Sequence, residues 1–137
     1  MKKFAIIILL LMCADVIAAW SKLEDAQVKG VTVYADIGKI HNKGMSKVKM
    51  RHMLNFHSKD VANTGRAYQS VKAFVEYNCD EEHYRVLASS MHTGPMGTGK
   101  VVRFVSDAKY WEPVESNTLE ETLWKLACDK RSITRHD

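Results

Sequence analysis

The sequence predicts a mainly β protein, with one antiparallel sheet of about six strands and a C-terminal α-helix, and three observations predict this fold. Apolar and polar residues alternate with a period of two in successive segments, as in strands that have one buried face. Turn residues separate these segments at short intervals, which favours a meander of sequential strands. The last apolar segment, Leu119–Cys128, instead follows a helix-capping residue. The chain of 137 residues suits one domain.

Two of the predicted strands alternate most clearly. In Ser46–Phe56 the even-numbered residues form the apolar side, and in Ser70–Cys79 the odd-numbered residues do so. Phe74 is the only apolar residue on the polar side of the second strand. The polar segment His57–Ala67 predicts a loop between the two strands. The remaining predicted strands are Trp20–Leu23, Val31–Asp36, Tyr84–His92 and Lys100–Asp107.

The predicted helix covers Leu119–Cys128. Thr118 and Glu121 have the spacing of a capping box, which satisfies backbone N–H groups at a helix start. At about 100° per residue, the leucines and Ala127 form one apolar stripe, whereas Trp124 and Cys128 lie far around the helix from it. Either the helix is covered over more than half of its circumference, or it unwinds at Cys128. Residues 130–137 are polar and predict a tail.

Met1–Ala19 has the layout of a secretory signal peptide, with two lysines, an apolar run and small residues before Trp20. The apolar run is shorter than the roughly 20 residues needed to cross a bilayer. We therefore expect cleavage after Ala19, which leaves residues 20–129 as the folded domain and no transmembrane segment. The segment ending at Cys13 resembles a lipoprotein cleavage box, but Met12 stands where a small residue is expected. Lipidation is therefore the less favoured interpretation.

Cleavage leaves two cysteines, Cys79 and Cys128, in an oxidising compartment. The strand pattern points Cys79 into the core, and Cys128 lies in the apolar C-terminal segment, so we predict a disulfide between them. The alternative is a zinc site with ligands drawn from Cys79, His83, His92, Cys128 and His136. Because the paired, short-spaced ligands of a structural zinc site are absent from the sequence, we predict no metal and no other cofactor.

The charged residues set limits on the partners. Lys and Arg number 20 against 16 Asp and Glu, and the net charge of +4 is too low for a nucleic-acid-binding charge density. Lys47, Lys49 and Arg51 occupy alternate positions of one predicted strand, so they should share its polar face. Two interpretations are open: a basic patch for a polyanion, or a solvated sheet face, which the strand pattern alone already explains.

The sequence contains no catalytic signature. Gly94–Lys100 has the spacing of a phosphate-binding loop, but Val101 replaces the required Ser or Thr, and a strand follows where a helix is needed. A tight connection with positive φ explains these glycines. Other polar candidates fall on different predicted strands with no nucleophile elbow, namely Asp36, His52, Glu76 and Ser90. No enzyme is predicted.

An ordered set of segments runs through nearly the whole chain after Ala19. The set comprises Trp20, Val33–Asp36, Ser70–Cys79, Arg85–Leu87, Gly94–Gly99, Trp111–Val114 and Leu123–Cys128. In this order the segments resemble the surface-adhesin protein E family. The resemblance implies a small antiparallel sheet with a C-terminal helix tied by a disulfide to its concave face. It also implies a Gram-negative outer-membrane adhesin for host extracellular-matrix and serum proteins.

Together these observations predict an exported, non-enzymatic binding domain in the periplasm or at the outer-membrane surface. The predicted contact surface is the basic strand Lys47–Arg51 with the loop His57–Ala67, and the predicted partners are host matrix or serum proteins or polyanionic glycans. The alternative is a periplasmic domain that holds a small apolar ligand between sheet and helix. Its lining would be Met50, Phe56, Tyr77 and Trp124, which are residue types more typical of a plain core.

Overall fold

The computed structural model describes residues 20–61 and 65–129. The predicted signal peptide, with Cys13, and the predicted tail at residues 130–137 lie outside the described residues. One sheet and one α-helix, α1, account for most of the described chain. The strands are β1 (Ser21–Lys22), β2 (Val31–Ala35), β3 (Lys47–Val61), β4 (Ala67–Asn78), β5 (His83–His92), β6 (Val101–Val105) and β7 (Glu112–Pro113), and α1 spans Leu119–Ala127.

The sheet is an antiparallel meander. Its strands follow one another in the order β1 to β6. The short strand β7 pairs with the start of β5, at His83 and Tyr84, whereas β6 pairs with the end of β5. Short 3-10 turns at Ile37–Lys39 and Pro95–Gly97 lie between strands. The predicted fold class is confirmed, since successive alternating segments do form a single antiparallel sheet before a C-terminal helix.

The predicted loop His57–Ala67 is wrong at both ends, and its residues 62–64 lie outside the described residues. Strand β3 continues to Val61 and β4 begins at Ala67, where these two residues pair with each other. A register irregularity between Asn55 and Asp60 interrupts the regular pairing. Such an irregularity breaks the period of two, and the strands pair again at Asp60 and Val61, so the alternation ends before the strand does.

One face of the sheet, here called the helix face, carries the main core. It presents Val48 and Met50 from β3, with Val75 and Tyr77 from β4, and all four side chains are buried. Helix α1 covers this face with its buried residues Leu123, Trp124 and Ala127. The indole Nε1 of Trp124 also donates a 2.8 Å hydrogen bond to the backbone carbonyl of Asn78. The helix is therefore held to β4 by both apolar and polar contacts.

The ends of α1 resolve the two possibilities that the sequence left open. At the start, the backbone N–H of Glu121 donates to Thr118 Oγ1 at 3.2 Å, as the capping box predicts, while the Glu121 carboxylate pairs with Lys125 at 3.4 Å. At the other end the helix stops at Ala127, and Cys128 is the C-cap. Trp124 is buried together with part of the apolar stripe, so the sheet covers a wide part of the helix surface. Cys128 lies just past the last turn of the helix.

The predicted disulfide between Cys79 and Cys128 is confirmed. It joins the residue that follows β4 to the residue that follows α1, across 49 positions of sequence. Because both sulfurs are bonded to each other, neither thiolate is available to the zinc site considered as the alternative.

Candidate binding surface

The face of the sheet opposite to α1, here called the open face, carries the predicted binding residues. Lys47, Lys49 and Arg51 alternate along β3 with Val48 and Met50, both of which are fully buried on the helix face. Successive strand side chains point to opposite faces, so the three cations share the open face. The structure thus places these three residues in one row, called here the cationic row.

Aromatic rings flank the cationic row. The guanidinium carbon of Arg51 lies 4.9 Å from the ring centroid of Phe74, its cross-strand neighbour on β4. Lys47 Nζ lies 5.8 Å from the Trp111 ring, and the guanidinium carbon of Arg85 lies 4.6 Å from the same ring. A ring face attracts a cation at such distances. The rings therefore hold two members of the row without neutralising their charge.

The charge of the cationic row is not balanced by ion pairs. Glu76 is the cross-strand partner of Lys49, but its carboxylate pairs with Arg85, with an N–O distance of 2.7 Å. Two further ion pairs, Lys22–Glu24 and Glu121–Lys125, lie elsewhere in the described chain. Within residues 20–61 and 65–129, therefore, no carboxylate forms a salt bridge with any of the three cations.

A loop between β5 and β6 closes one end of the open face. The hydroxyl of Ser70 donates to the Gly94 carbonyl at 2.7 Å and accepts from the Gly97 N–H at 2.8 Å. The N–H of Met96 donates to Asn55 Oδ1 at 2.9 Å. Gly97 has a φ of 72°, as the sequence predicts for a tight connection in this glycine-rich segment, and a strand follows it.

A second, smaller buried cluster lies on the open face near this loop. Met53 and Ser70 have 0% exposure, and His92 has 7%. The imidazole Nε2 of His92 lies 2.8 Å from the Ser90 hydroxyl oxygen. Burial lowers the pKa of His92, and the nearby positive charge of Lys72 lowers it further. The sequence predicts a polar face here, either solvated or a basic patch, and not a buried cluster.

The helix face shows how the residues proposed to line an apolar ligand site are used. Met50, Tyr77 and Trp124 are at most 6% exposed and belong to one core cluster with α1. Phe56 instead packs edge-on against Tyr68, with ring centroids 5.5 Å apart. Three of the four residues are therefore core, and the fourth contacts a different ring.

Two buried polar atoms of the helix face have no hydrogen-bond partner among the described residues. They are the hydroxyl of Tyr77 and Nδ1 of His52. Burial raises the pKa of Tyr77 above its ordinary value and lowers that of His52 to about 4. Part of residue His52 reaches the surface, but its Nδ1 is shielded from water. Both side chains are therefore uncharged at neutral pH.

The same described part of the chain has no metal-ligating cluster and no membrane-spanning helix. Within residues 20–61 and 65–129, no three His, Cys, Asp or Glu side chains are grouped to hold a metal ion. No helix in these ranges has the length and apolar character needed to cross a membrane.

Some residues of the open face were missed by the sequence reasoning. Phe74 was visible as the one apolar residue on the polar side of its strand, which was a usable signal. Trp111 lies in the connection after β6, where no periodic pattern applies, and a single arginine in β5, Arg85, is not by itself a signal of a site. Their meeting with Lys47 depends on the path of that connection across the sheet.

The chain was compared with known proteins. The model of the surface-adhesin protein E family matches residues 20–129. The solved structure of Haemophilus influenzae protein E is 17% identical and covers 81% of this chain and 94% of its own, with a TM-score of 0.56. Crystal form II of that protein has 16% identity, coverages of 82% and 98%, and a TM-score of 0.60.

Protein E from non-typeable Haemophilus influenzae gives a similar result, with 18% identity, coverages of 83% and 86%, and a TM-score of 0.58. At these identities the structural likeness shows a shared fold. Among curated proteins, no sequence matches this chain significantly.

Proposed function

The chain belongs to the surface-adhesin protein E family, and from that premise we propose that it is an exported, non-enzymatic binding domain that contacts anionic partners through Lys47, Lys49 and Arg51. The observation that carries this proposal is the unpaired charge of the cationic row on the face that α1 leaves uncovered. None of these three side chains forms an ion pair within the described residues. Their charge is therefore free to attract a partner.

The geometry of the row favours an extended partner. Side chains two residues apart on a strand lie about 7 Å apart, so the three cations span about 13 Å in a line. Trp111 and Phe74 keep Lys47 and Arg51 near the sheet surface, which reduces the side-chain entropy lost on binding. A line of fixed positive charges suits a sulfated glycan chain or an acidic segment of a protein.

Export and family membership narrow the partners further. The signal-peptide layout of Met1–Ala19 supports placement in the periplasm or at the outer surface of a Gram-negative bacterium. A surface adhesin meets host extracellular-matrix and serum proteins, and the matrix is rich in sulfated glycans. These are the partners we propose for the cationic row.

The test is binding of the purified protein to heparin, used as a sulfated glycan probe, across a range of salt concentrations. Replacing Lys47, Lys49 and Arg51 together by Ser should weaken binding at low salt by about tenfold or more and flatten its salt dependence, because fewer charges contact the polyanion. The residues are on the surface of the open face, so the thermal midpoint should stay near that of the parent.

A matched control removes three other exposed lysines, Lys29, Lys109 and Lys125, which lie in turns and on α1. This control carries the same net charge as the first variant but keeps the cationic row. If both triple variants bind heparin equally, binding follows net charge and the proposed surface is wrong. If neither differs from the parent, the row is a solvated sheet face.

A further inference from the structure

A cleft of about 240 Å³ lies on the open face, beyond the cationic row towards the edge strand β6. Its walls are mainly apolar, and Phe104 at its outer side is 66% exposed. This volume is below the range typical of drug-sized ligands and suits a group the size of one side chain. The lining side chains used below are Arg51, Lys72, Phe74, Ala88, Ser90 and Phe104.

Two cations line this cleft, and each packs against another part of the protein. Arg51 is stacked on Phe74, as described above. The stem of Lys72 is confined by the loop between β5 and β6, because Gly97 contacts it so closely that a Cβ at Gly97 would have no room beside Lys72 Cε. The loop itself is anchored through Ser70. Both positive charges therefore lie beside the cleft, Arg51 against an aromatic ring and Lys72 against the loop.

Neither cation forms a salt bridge within the described residues. No Asp or Glu of the described part of the chain lines the cleft. Burial and the positive charge of Lys72 both lower the pKa of His92, so this side chain supplies no negative charge. The cleft therefore combines apolar walls with positive charge that nothing in the described chain compensates.

We propose that this cleft binds an aromatic ring that carries an anionic group, such as an aryl sulfate or an aromatic carboxylate. The ring lies between Phe74 and Phe104, where aromatic contacts are favourable, and the anion lies between Arg51 and Lys72, where charge-assisted hydrogen bonds are strongest. The inference deepens the proposed function and rests on it, because Arg51 belongs to both the cationic row and the cleft.

The test measures binding of N-acetyl-tyrosine-O-sulfate amide by calorimetry. Two further probes separate its parts: N-acetyl-tyrosine amide has the ring without the anion, and N-acetyl-serine-O-sulfate amide has the anion without the ring. We expect saturable binding of the sulfated tyrosine probe, at least about tenfold tighter than either of the others, since each lacks one half of the recognition. No binding of the sulfated tyrosine probe, or equal binding of the sulfated serine probe, would overturn the proposal.

Variants assign the binding to the cleft. Lys72→Met removes the charge but keeps an apolar stem, and Phe104→Ser removes the exposed wall, so each should weaken binding of the sulfated tyrosine probe about tenfold. The matched controls are Arg103→Met, an exposed cation next in sequence on β6, and Tyr110→Ser, an aromatic residue that is 93% exposed. If the controls weaken binding as much as the cleft variants do, the cleft is not the site.

The outcome is separable from that of the heparin experiment, because Lys72 and Phe104 lie outside the cationic row. Heparin binding that depends on the row, without binding of the sulfated tyrosine probe, would refute the cleft alone. Probe binding that depends on Lys72, with heparin binding unchanged in the row variant, would refute the proposed row and keep the cleft. Phenyl sulfate then identifies the source, since equal affinity indicates a free aromatic anion, whereas weaker affinity indicates a modified side chain of a partner protein.

Gly97→Ala probes the positioning of Lys72. The new methyl group must displace the Lys72 stem, so affinity for the sulfated tyrosine probe should fall severalfold. Gly44→Ala is the matched control, because Gly44 also has positive φ but has no neighbour near an added Cβ. Unchanged probe affinity in Gly97→Ala would show that the loop does not position Lys72 for binding.

Discussion

The two faces of the sheet are covered by different means. The helix face is closed by α1, which packs Leu123, Trp124 and Ala127 onto the core and is tied to the sheet by a disulfide. The open face is closed only at one end, by a loop held through hydrogen bonds to Ser70 and Asn55. The rest of it presents cations and aromatic rings to solvent.

The difference teaches how one strand can serve two purposes. Along β3, Met50 faces the core under α1, while its neighbours Lys49 and Arg51 face the open side. Substitution of the cationic row changes charge without opening the main core, because that core lies on the other face of β3. Stability and partner contact can therefore vary independently, and the following predictions test that division.

The largest effect is expected from cutting the covalent tie of the helix face. Cys128→Ser removes a cross-link between residues 49 positions apart, worth about 4 kcal/mol by chain entropy. The thermal midpoint measured by circular dichroism should fall by roughly 10–20 °C, and Trp124 emission should shift to longer wavelength on exposure. The Cys79→Ser/Cys128→Ser double variant should match the single one. A melting midpoint that responds to a chelator but not to a reductant would contradict this account.

The next effect compares one histidine from each face. His52 is neutral in the fold with a pKa of about 4, whereas its ordinary value is 6.5. Between those values the unfolded chain binds the proton more readily, so stability falls as the pH drops from about 6.5 towards 4. The full loss is at most about 3 kcal/mol. Denaturant unfolding at pH 7 and pH 4.5 should show this loss in the parent and much less of it in His52→Gln.

His92→Gln is the matched variant on the open face. The pKa of His92 is also lowered, but it lies under a loop and not under α1. Its replacement should therefore remove a smaller part of the acid sensitivity than replacement of His52. If both variants reduce the loss of stability between pH 7 and pH 4.5 by the same amount, the two faces shield their histidines equally from water. The predicted difference between the faces would then be wrong.

The smallest effect is the expected difference in stability between variants of Met50 and Met53. Both residues are 0% exposed, and they lie on opposite faces of β3. Met50→Ala should destabilise by about 3 kcal/mol, because the core beneath α1 cannot easily collapse around the cavity. Met53→Ala should cost about 2 kcal/mol, because the loop that covers the open face can move inward. Chemical denaturation of both variants measures the difference, and a larger cost for Met53 would show that the open face holds the more rigid core.

The length of β3 shows where sequence reasoning failed. Its alternation stops near Asn55, and the polar residues that follow are predicted as a loop, yet the strand pairs with β4 again at Asp60 and Val61. Pairing there is made by backbone groups, which every residue carries regardless of its side chain. A hydrophobic pattern therefore predicts which residues are buried, but it does not predict strand pairing where both faces are exposed.

By itself, the sequence determined the order of the strands, the start of α1 after Thr118, and the pairing of Cys79 with Cys128. These follow from patterns among neighbouring residues and from the small number of cysteines. Only the tertiary structure decided that Trp111 lies beside Lys47, that Gly97 confines Lys72, and that Phe74 and Phe104 enclose a cleft. The physical reason is that each of these contacts joins different elements, and their meeting depends on strand register and on loop paths that no local pattern encodes.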